Sequence, residues 1–323
     1  MNNIDNKLLK GLYSDEERLR LYAIEDIIET EEIEYANFFV DFLIKEKSDA
    51  VKNSLVNAIL KLNNPDCYER LFALYSSSDA FLRNAAVKIM SSYKESVEAF
   101  LIYNLNHSNR EVRKLILDSI VQIGTQNCLF AIRACLYDVD INVVIAAVEY
   151  LGKLKDKNSG EELLLLFDKT TEPMLKVTIL EVVKDFADVH MVKSFLVKLI
   201  IDNPKAIDML YISALLKMVG IVGEHDTIID LINSIEDKEE YADEIIESIV
   251  NAEKRFDNIL SDKDILNVIE TLINSSKIRE EFRFVALELL SKSKDEKAIK
   301  ILMDMAIGST DPELKEFCTT LIK

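Results

Sequence analysis

The chain has 323 residues, 49% of them apolar, and 57 acidic against 39 basic side chains give it a net charge of −18. That acidity argues against binding nucleic acid or an anionic membrane, since both need a basic surface, and it suits a basic partner. Strand-like alternation is absent and Gly (7) and Pro (4) are scarce, so an all-helical chain is expected. No apolar run, Leu163 to Phe167 included, approaches the ~18 residues that cross a bilayer.

The start, Met1-Asn2-Asn3-Ile4-Asp5, has neither a basic n-region nor an apolar h-region, and a cytoplasmic, soluble protein is expected. From there the chain repeats one phrase. An anchor residue, polar in most copies, is followed three places on by an apolar residue, then by a basic one, then three later by another apolar one. The anchors are Glu16, Ser48, Asp79, Asn109, Asp140, Glu172, Pro204, Glu239, Arg279 and Asp311. The residues three past them are all apolar: Leu19, Val51, Leu82, Val112, Val143, Leu175, Ile207, Ala242, Phe282 and Leu314. Of the residues four past, seven are basic (Arg20, Lys52, Arg83, Arg113, Lys176, Arg283, Lys315), and Val144, Asp208 and Asp243 break the rule. In the fourth copy Val112, Ile116, Ser119, Ile120 and Ile123 share one face at a helical period. A second apolar helical stretch precedes each anchor, as in Phe38-Phe39-Phe42-Leu43 and Leu71-Phe72-Leu74-Tyr75. Each unit is therefore helix–turn–helix. It cannot cover its own apolar face and must stack on its neighbours.

Asp79 to Ala86 resembles the D-x-x-V-R-x-x-A phrase of HEAT repeats of the PBS-lyase type, with Leu82 for Val. Asn109 to Ile116 and Asp311 to Cys318 are close to it, and the resemblance covers essentially the whole chain. It implies an all-α solenoid, a superhelical stack of about ten two-helix repeats forming a single domain over 1–323. Within it, 1–222 are regular, 223–275 divergent and acidic, and 276–323 regular again. It also implies a ladder in which Asp79 and Asp140 pair with bases such as Arg83 and Arg113. Local signals agree with the fold. Pro65, Pro173, Pro204 and Pro312 each follow a capping residue, and Gly124, Gly152 and Gly220 fall where left-handed helix ends are expected, with Gly220–Gly223 a turn.

No catalytic, metal or nucleotide motif is found, so no cofactor is expected. Asp138, Asp140, Asn142 and Glu149 have a calcium-loop spacing, but Val143 stands where the loop needs Gly. His107, His190 and His225 lie apart from one another. Cys128 and Cys135, on one predicted helix, are about 10 Å apart at its rise per residue, too far for a disulfide. With Cys67 and Cys318 they read as buried thiols.

Binding is expected on the concave face lined by the second helices, at the positions five and nine past each anchor. These are Leu21, Glu25, Asn53, Asn57, Asn84, Lys88, Lys114, Asp118, Ile145, Glu149, Val177, Glu181 and Met209, with Ser213 ending the second row. An apolar strip at Ile145, Val177 and Met209 flanked by Glu149 and Glu181 suits an amphipathic helix with basic edges. From Glu224 to Asp264 there are 14 acidic and 4 basic residues, which makes Glu239, Glu240, Asp243 and Glu244 a candidate docking or hinge segment with a lost ladder. The expected function is a non-enzymatic scaffold or adaptor for a protein or peptide. A lyase-like or maturation-factor enzyme subunit on the same solenoid is the alternative, and a nucleic-acid binder is a more remote one. The last copy offers an outer face, Leu321 included, for self-association.

Overall fold

A computed structural model describes residues 6–202, 209–256 and 258–322. Among the described residues there are twenty α-helices and no strand. None of the helices is long and apolar enough to cross a membrane. Contacts group the chain into two compact units, Met1–Leu154 and Lys155–Lys323. The first holds α1 (Asn6–Gly11), α2 (Glu17–Glu29), α3 (Tyr35–Lys45), α4 (Asp49–Leu62), α5 (Tyr68–Ala73), α6 (Ala80–Ser92), α7 (Glu95–Tyr103), α8 (Arg110–Ile123), α9 (Gln126–Ala134) and α10 (Ile141–Lys153). The second holds α11 (Gly160–Lys169), α12 (Pro173–Val183), α13 (Val189–Asp202), α14 (Ile212–Val222), α15 (His225–Ser234), α16 (Ala242–Glu253), α17 (Lys263–Ile273), α18 (Glu280–Lys292), α19 (Glu296–Gly308) and α20 (Pro312–Ile322). Odd- and even-numbered helices alternate as first and second members of a pair. Within each unit, second helices pack on second helices, as α2 on α4 and α14 on α16.

The expected core positions carry the packing. Val51, Leu55 and Ile59 on α4, Leu82, Ala86 and Met90 on α6, and Val112, Ile116 and Ile120 on α8 are buried. Each buried aliphatic side chain of this kind contributes about 1.5–3 kcal/mol. Seven anchors are the residues that cap their helices, and Asp311 immediately precedes α20. Where the anchor has a short acceptor it closes the first turn: Asp79 Oδ1 accepts the Phe81 N–H, Asn109 the Glu111 N–H and Asp140 the Asn142 N–H. A further regularity sits two residues before the anchor. Ser14, Ser77, Asp138, Thr170 and Ser309 side-chain oxygens, Glu46 Oε1 and His107 Nδ1 each accept the anchor's own N–H. The loop backbone is thereby satisfied without a longer turn.

The ladder differs in detail from the one the resemblance implies. Arg113 does not reach Asp140. Its guanidinium takes Asp138 through two bonds of 2.8 and 2.6 Å and donates to the carbonyls of His107 and Ser108 in its own loop. Arg20 repeats this arrangement on Glu46 at 2.8 and 3.0 Å and on the Ser14 and Asp15 carbonyls. Arg83 donates to the Ser77 and Ser78 carbonyls and not to Asp79. Asp79 instead receives Lys52, at 3.1 Å, and Asp140 receives Arg110, at 3.1 Å. In the eighth copy the rung is inverted, not lost: Asp243 carries the charge four past the anchor, and the base is the next anchor, Arg279, which gives it both a side-chain ion pair and its backbone N–H at 3.0 Å.

Two register expectations are corrected. α14 begins at Ile212, so Met209, expected on a helix face, lies in a turn ahead of it; Pro204, Ile207 and Asp208 lie outside the described residues. α16 begins at Ala242, after a single 3-10 turn over Lys238–Tyr241. Neither start carries a short acceptor: Tyr211 and Tyr241 precede the helices and make no side-chain cap. Gly124 has the left-handed φ expected of it, 72°. Gly152 and Gly220 do not end their helices; both lie within them. Gly220 is required for packing: a Cβ there would lie 2.8 Å from both the Cα and the carbonyl oxygen of Ser248 on α16.

Replacing Gly220 by Ala therefore forces α14 from α16 and should cost about 1–3 kcal/mol, seen as a lower Tm. Gly308→Ala, which meets nothing within 4 Å, should leave Tm unchanged within error. The Lys52 ammonium, bonded to Asp79, holds that carboxyl below its ordinary value of 3.8. A carboxyl depressed in the folded state contributes stability that is present above the ordinary value and is lost as pH falls through the folded one. Lys52→Met should raise the Asp79 pKa in a carboxyl-carbon NMR titration and flatten the acid limb of stability below about pH 4.

Candidate partner-binding face

In the first unit, Glu25, Asn53, Asn57, Asn84, Lys88 and Glu149 are exposed along α2, α4, α6 and α10, while Leu21, Lys114, Asp118 and Ile145 are half-buried. Asn84, Lys88 and Asp118 come together. With Gln122, Tyr150 and Lys153 they line a shallow cavity of about 310 Å³. The Tyr150 hydroxyl donates to Asp118; burial first, and then the Asp118 charge, push the phenol pKa up. Asn53 turns back onto its own helix, donating to the Asp49 carbonyl at 2.8 Å. This surface is small, and its polar groups stand beside Val87 and Val121.

The second unit places two sequence expectations in one location. Val177 and Glu181 on α12, Ser213 and Lys217 on α14, and Glu244 and Glu247 on α16 line a cavity of about 300 Å³, with Leu210 also in its wall. A larger cavity of about 820 Å³ adjoins it and shares Leu210 and Glu244; its wall includes Met209, Ile235, Glu236 and Glu240. Met209 and Leu210 are 77% and 62% exposed. The acidic segment from copy eight thus meets the apolar strip from copies six and seven.

Charge in this groove is only partly compensated. Glu181 is paired with Lys184 and, at 3.4 Å, with Lys217. Burial works to raise its pKa, but the two lysines outweigh burial and the carboxyl sits below its ordinary value. Lys277 serves Asp237 and Glu240 at 3.2 and 2.8 Å. Glu244 accepts a hydrogen bond from Ser213 at 3.1 Å. Of the four acidic docking candidates, Glu240 and Glu244 line the groove. Glu239 accepts from Ser275 at 2.6 Å and Asp243 is held by Arg279, so both tie copy eight to copy nine. Lys217, Leu210 and Glu247 fall outside the positions five and nine past an anchor. Counting onward from Pro204 and Glu239 misses them, and the tyrosines that precede α14 and α16 give no capping signal.

Asp138, Asp140 and Asn142 are occupied by the loop and ladder bonds described above. Among the described residues no group of three or more His, Cys, Asp or Glu is arranged to hold a metal ion. All four cysteines are buried and free; Cys67 Sγ lies 3.1 Å from the Tyr93 hydroxyl.

Stacked helix pairs with this ladder define a helical-repeat solenoid. No family model matches the chain, and no curated protein sequence matches it significantly. Among solved structures, it is similar to the HEAT-repeat karyopherin Kap121p, with a TM-score of 0.59 at 12% identity over 97% of this chain. Kap121p bound to Nup53p gives 0.57 at 12% identity over 99% of this chain, and Kap121p bound to RanGTP gives 0.57 at 12% over 98%. The chain spans about two-fifths of Kap121p's length. These likenesses establish the fold.

The pairing around Glu181 is open to a direct check. Lys184→Gln should raise the Glu181 pKa toward its ordinary 4.5 in an NMR titration, whereas Lys114→Gln, in the other unit, should not move it.

Proposed function

We propose that this protein is a non-enzymatic, cytoplasmic scaffold of the PBS-lyase-type HEAT-like class, and that it binds a basic amphipathic helix of a protein partner in the groove of α12, α14 and α16. The observation that carries this reading is the juxtaposition of exposed Met209 and Leu210 with the carboxylates of Glu236, Glu244 and Glu247, which form none of the groove's ion pairs described above. An exposed apolar patch rimmed by charge of one sign is what an amphipathic helix with basic edges covers. Adjacent helices pack about 8–10 Å apart, so three of them span enough surface for several turns of such a helix. Kap121p, with the same fold, has been solved bound to Nup53p and to RanGTP; that is a fold-level analogy supporting a protein partner. Four buried free thiols suit a reducing compartment.

The test uses a labelled Leu/Lys amphipathic peptide of about 18 residues, five helical turns, and a scrambled peptide of the same composition, read by fluorescence anisotropy. The intact chain should bind the first and not the second, more weakly as salt is raised. Glu244→Lys combined with Glu247→Lys should weaken binding by about tenfold or more, equivalent to about 1.4 kcal/mol. Equal binding by the variant, or by the scrambled peptide, would remove this groove from consideration.

A further inference from the structure

Three neighbouring second helices of the first unit each offer a pair of polar side chains about one turn apart. The pairs are Asn84 and Lys88 on α6, Asp118 and Gln122 on α8, and Tyr150 and Lys153 on α10. α8 packs on both α6 and α10, so the pairs meet over it. Together with buried Val87 and Val121 they line a cavity of about 310 Å³. That volume is at the lower end of the range that small-ligand sites occupy, and the wall combines apolar surface with a few polar groups, as in such sites.

The charges here are not matched to one another. Lys88, Lys153 and Asp118 share the wall, yet no ion pair joins either lysine to the carboxylate. Asp118 is taken by the Tyr150 hydroxyl, and Gln122 Nε2 donates at 2.8 Å to the Asp118 carbonyl. Among the described residues the two ammoniums and the Asn84 side-chain amide have no hydrogen-bond partner. Two ammoniums facing one cavity repel each other, and an anion between them replaces that repulsion with attraction. Glu149, next to Tyr150, is exposed and stands outside the wall. With two lysines against one carboxylate, this cavity is opposite in sign to the groove of the second unit, which Glu236, Glu240, Glu244 and Glu247 line.

We infer that this cavity binds a phosphate monoester, with the phosphoryl oxygens between Lys88 and Lys153 and the organic group against Val87, Val121 and the Tyr150 ring. The Asn84 amide is a further donor to the same oxygens. Two features select this class of ligand. No arginine lines the cavity, so the planar fork that matches a carboxylate is absent, whereas an ammonium is a point charge that suits a tetrahedral oxyanion. A phosphate monoester carries about −1.5 to −2 charges at pH 7, which two ammoniums neutralise and one does not. The site lies wholly within the first unit and does not rest on the groove of α12, α14 and α16.

The experiment titrates the full chain and follows the side-chain amide NMR signals of Asn84 and Gln122. Phenyl phosphate represents a free small-molecule ester, a capped phosphoserine one carried on a peptide, and the tighter of the two fixes the source. The ester should shift both amides saturably with a Kd of about 1 mM or below, and benzoate, a planar carboxylate of similar size, should not. Lys88→Gln combined with Lys153→Gln should weaken binding by about tenfold or more. Asp118→Asn keeps an acceptor for the Tyr150 hydroxyl and removes the one negative charge in the wall, so it should tighten binding by about threefold. Lys61→Gln, an exposed lysine of α4 outside the wall, should change it little. All these positions are exposed or keep their hydrogen bond, and an unchanged Tm would confirm that the variants fold. No saturable shift with either ester by about 10 mM overturns the proposal. So does benzoate that binds as tightly as the ester, or Lys61→Gln that weakens binding as much as the paired substitution, because the attraction is then a diffuse one.

Discussion

A pair of short helices has more apolar surface than its two members can hide from each other, and that constraint governs the rest of this protein. Leu82, Ala85, Ala86 and Ile89 on α6 are all buried, a wider face than one partner helix can cover. The remedy is to add another pair in the same register. Repetition therefore follows from burial, and it makes stability a sum over neighbouring copies.

Register depends on the loops. The residue two before the anchor accepts the anchor's N–H, the anchor accepts the next turn's N–H, and an arginine four past it closes over the loop carbonyls and reaches the following loop. Asp138 serves at once as loop acceptor and as Arg113's carboxylate, and Glu46 does the same for Arg20, so the turns of copies five and two are defined partly by the copies before them. The second helices of copies seven and eight begin differently. Tyrosines precede the helices and the ladder charges are exchanged between Asp243 and Arg279. Those are the copies in which the groove opens. Met209 and Leu210 stand exposed in the turn ahead of α14, and the accumulated carboxylates give the opening its sign.

Charge in this protein has two separable uses. Carboxylates such as Glu46, Asp138, Asp140 and Asp243 hold copies together and are matched by arginines. Burial acts to raise Glu46, but the Ser48 N–H and the Arg20 guanidinium outweigh burial and keep its carboxyl below the ordinary value. Glu236 and Glu247 make no ion pair among the contacts described, Glu244 accepts only from Ser213, and all three line the groove. A count of charges along the chain cannot separate these groups, because both are drawn from the same residue types at similar spacing.

The helix-pair repeat, its phase and most of its core are legible in the order of residues, because an amphipathic helix encodes its buried face in a period that needs no knowledge of its neighbours. Val51, Leu55, Ile116 and Ala147 were identifiable that way. The first-turn caps are legible too, wherever Asp or Asn supplied a short acceptor. What depends on the distance between residues some thirty positions apart emerges only on folding: that Arg113 takes Asp138 and not Asp140, that the eighth rung is inverted, and that Gly220 packs on Ser248 inside a helix instead of ending one. So does the place of Met209, ahead of α14 beside Glu240 and Glu244. Those outcomes are set by where the loops turn, and at Tyr211 and Tyr241 no local chemistry marks the turn.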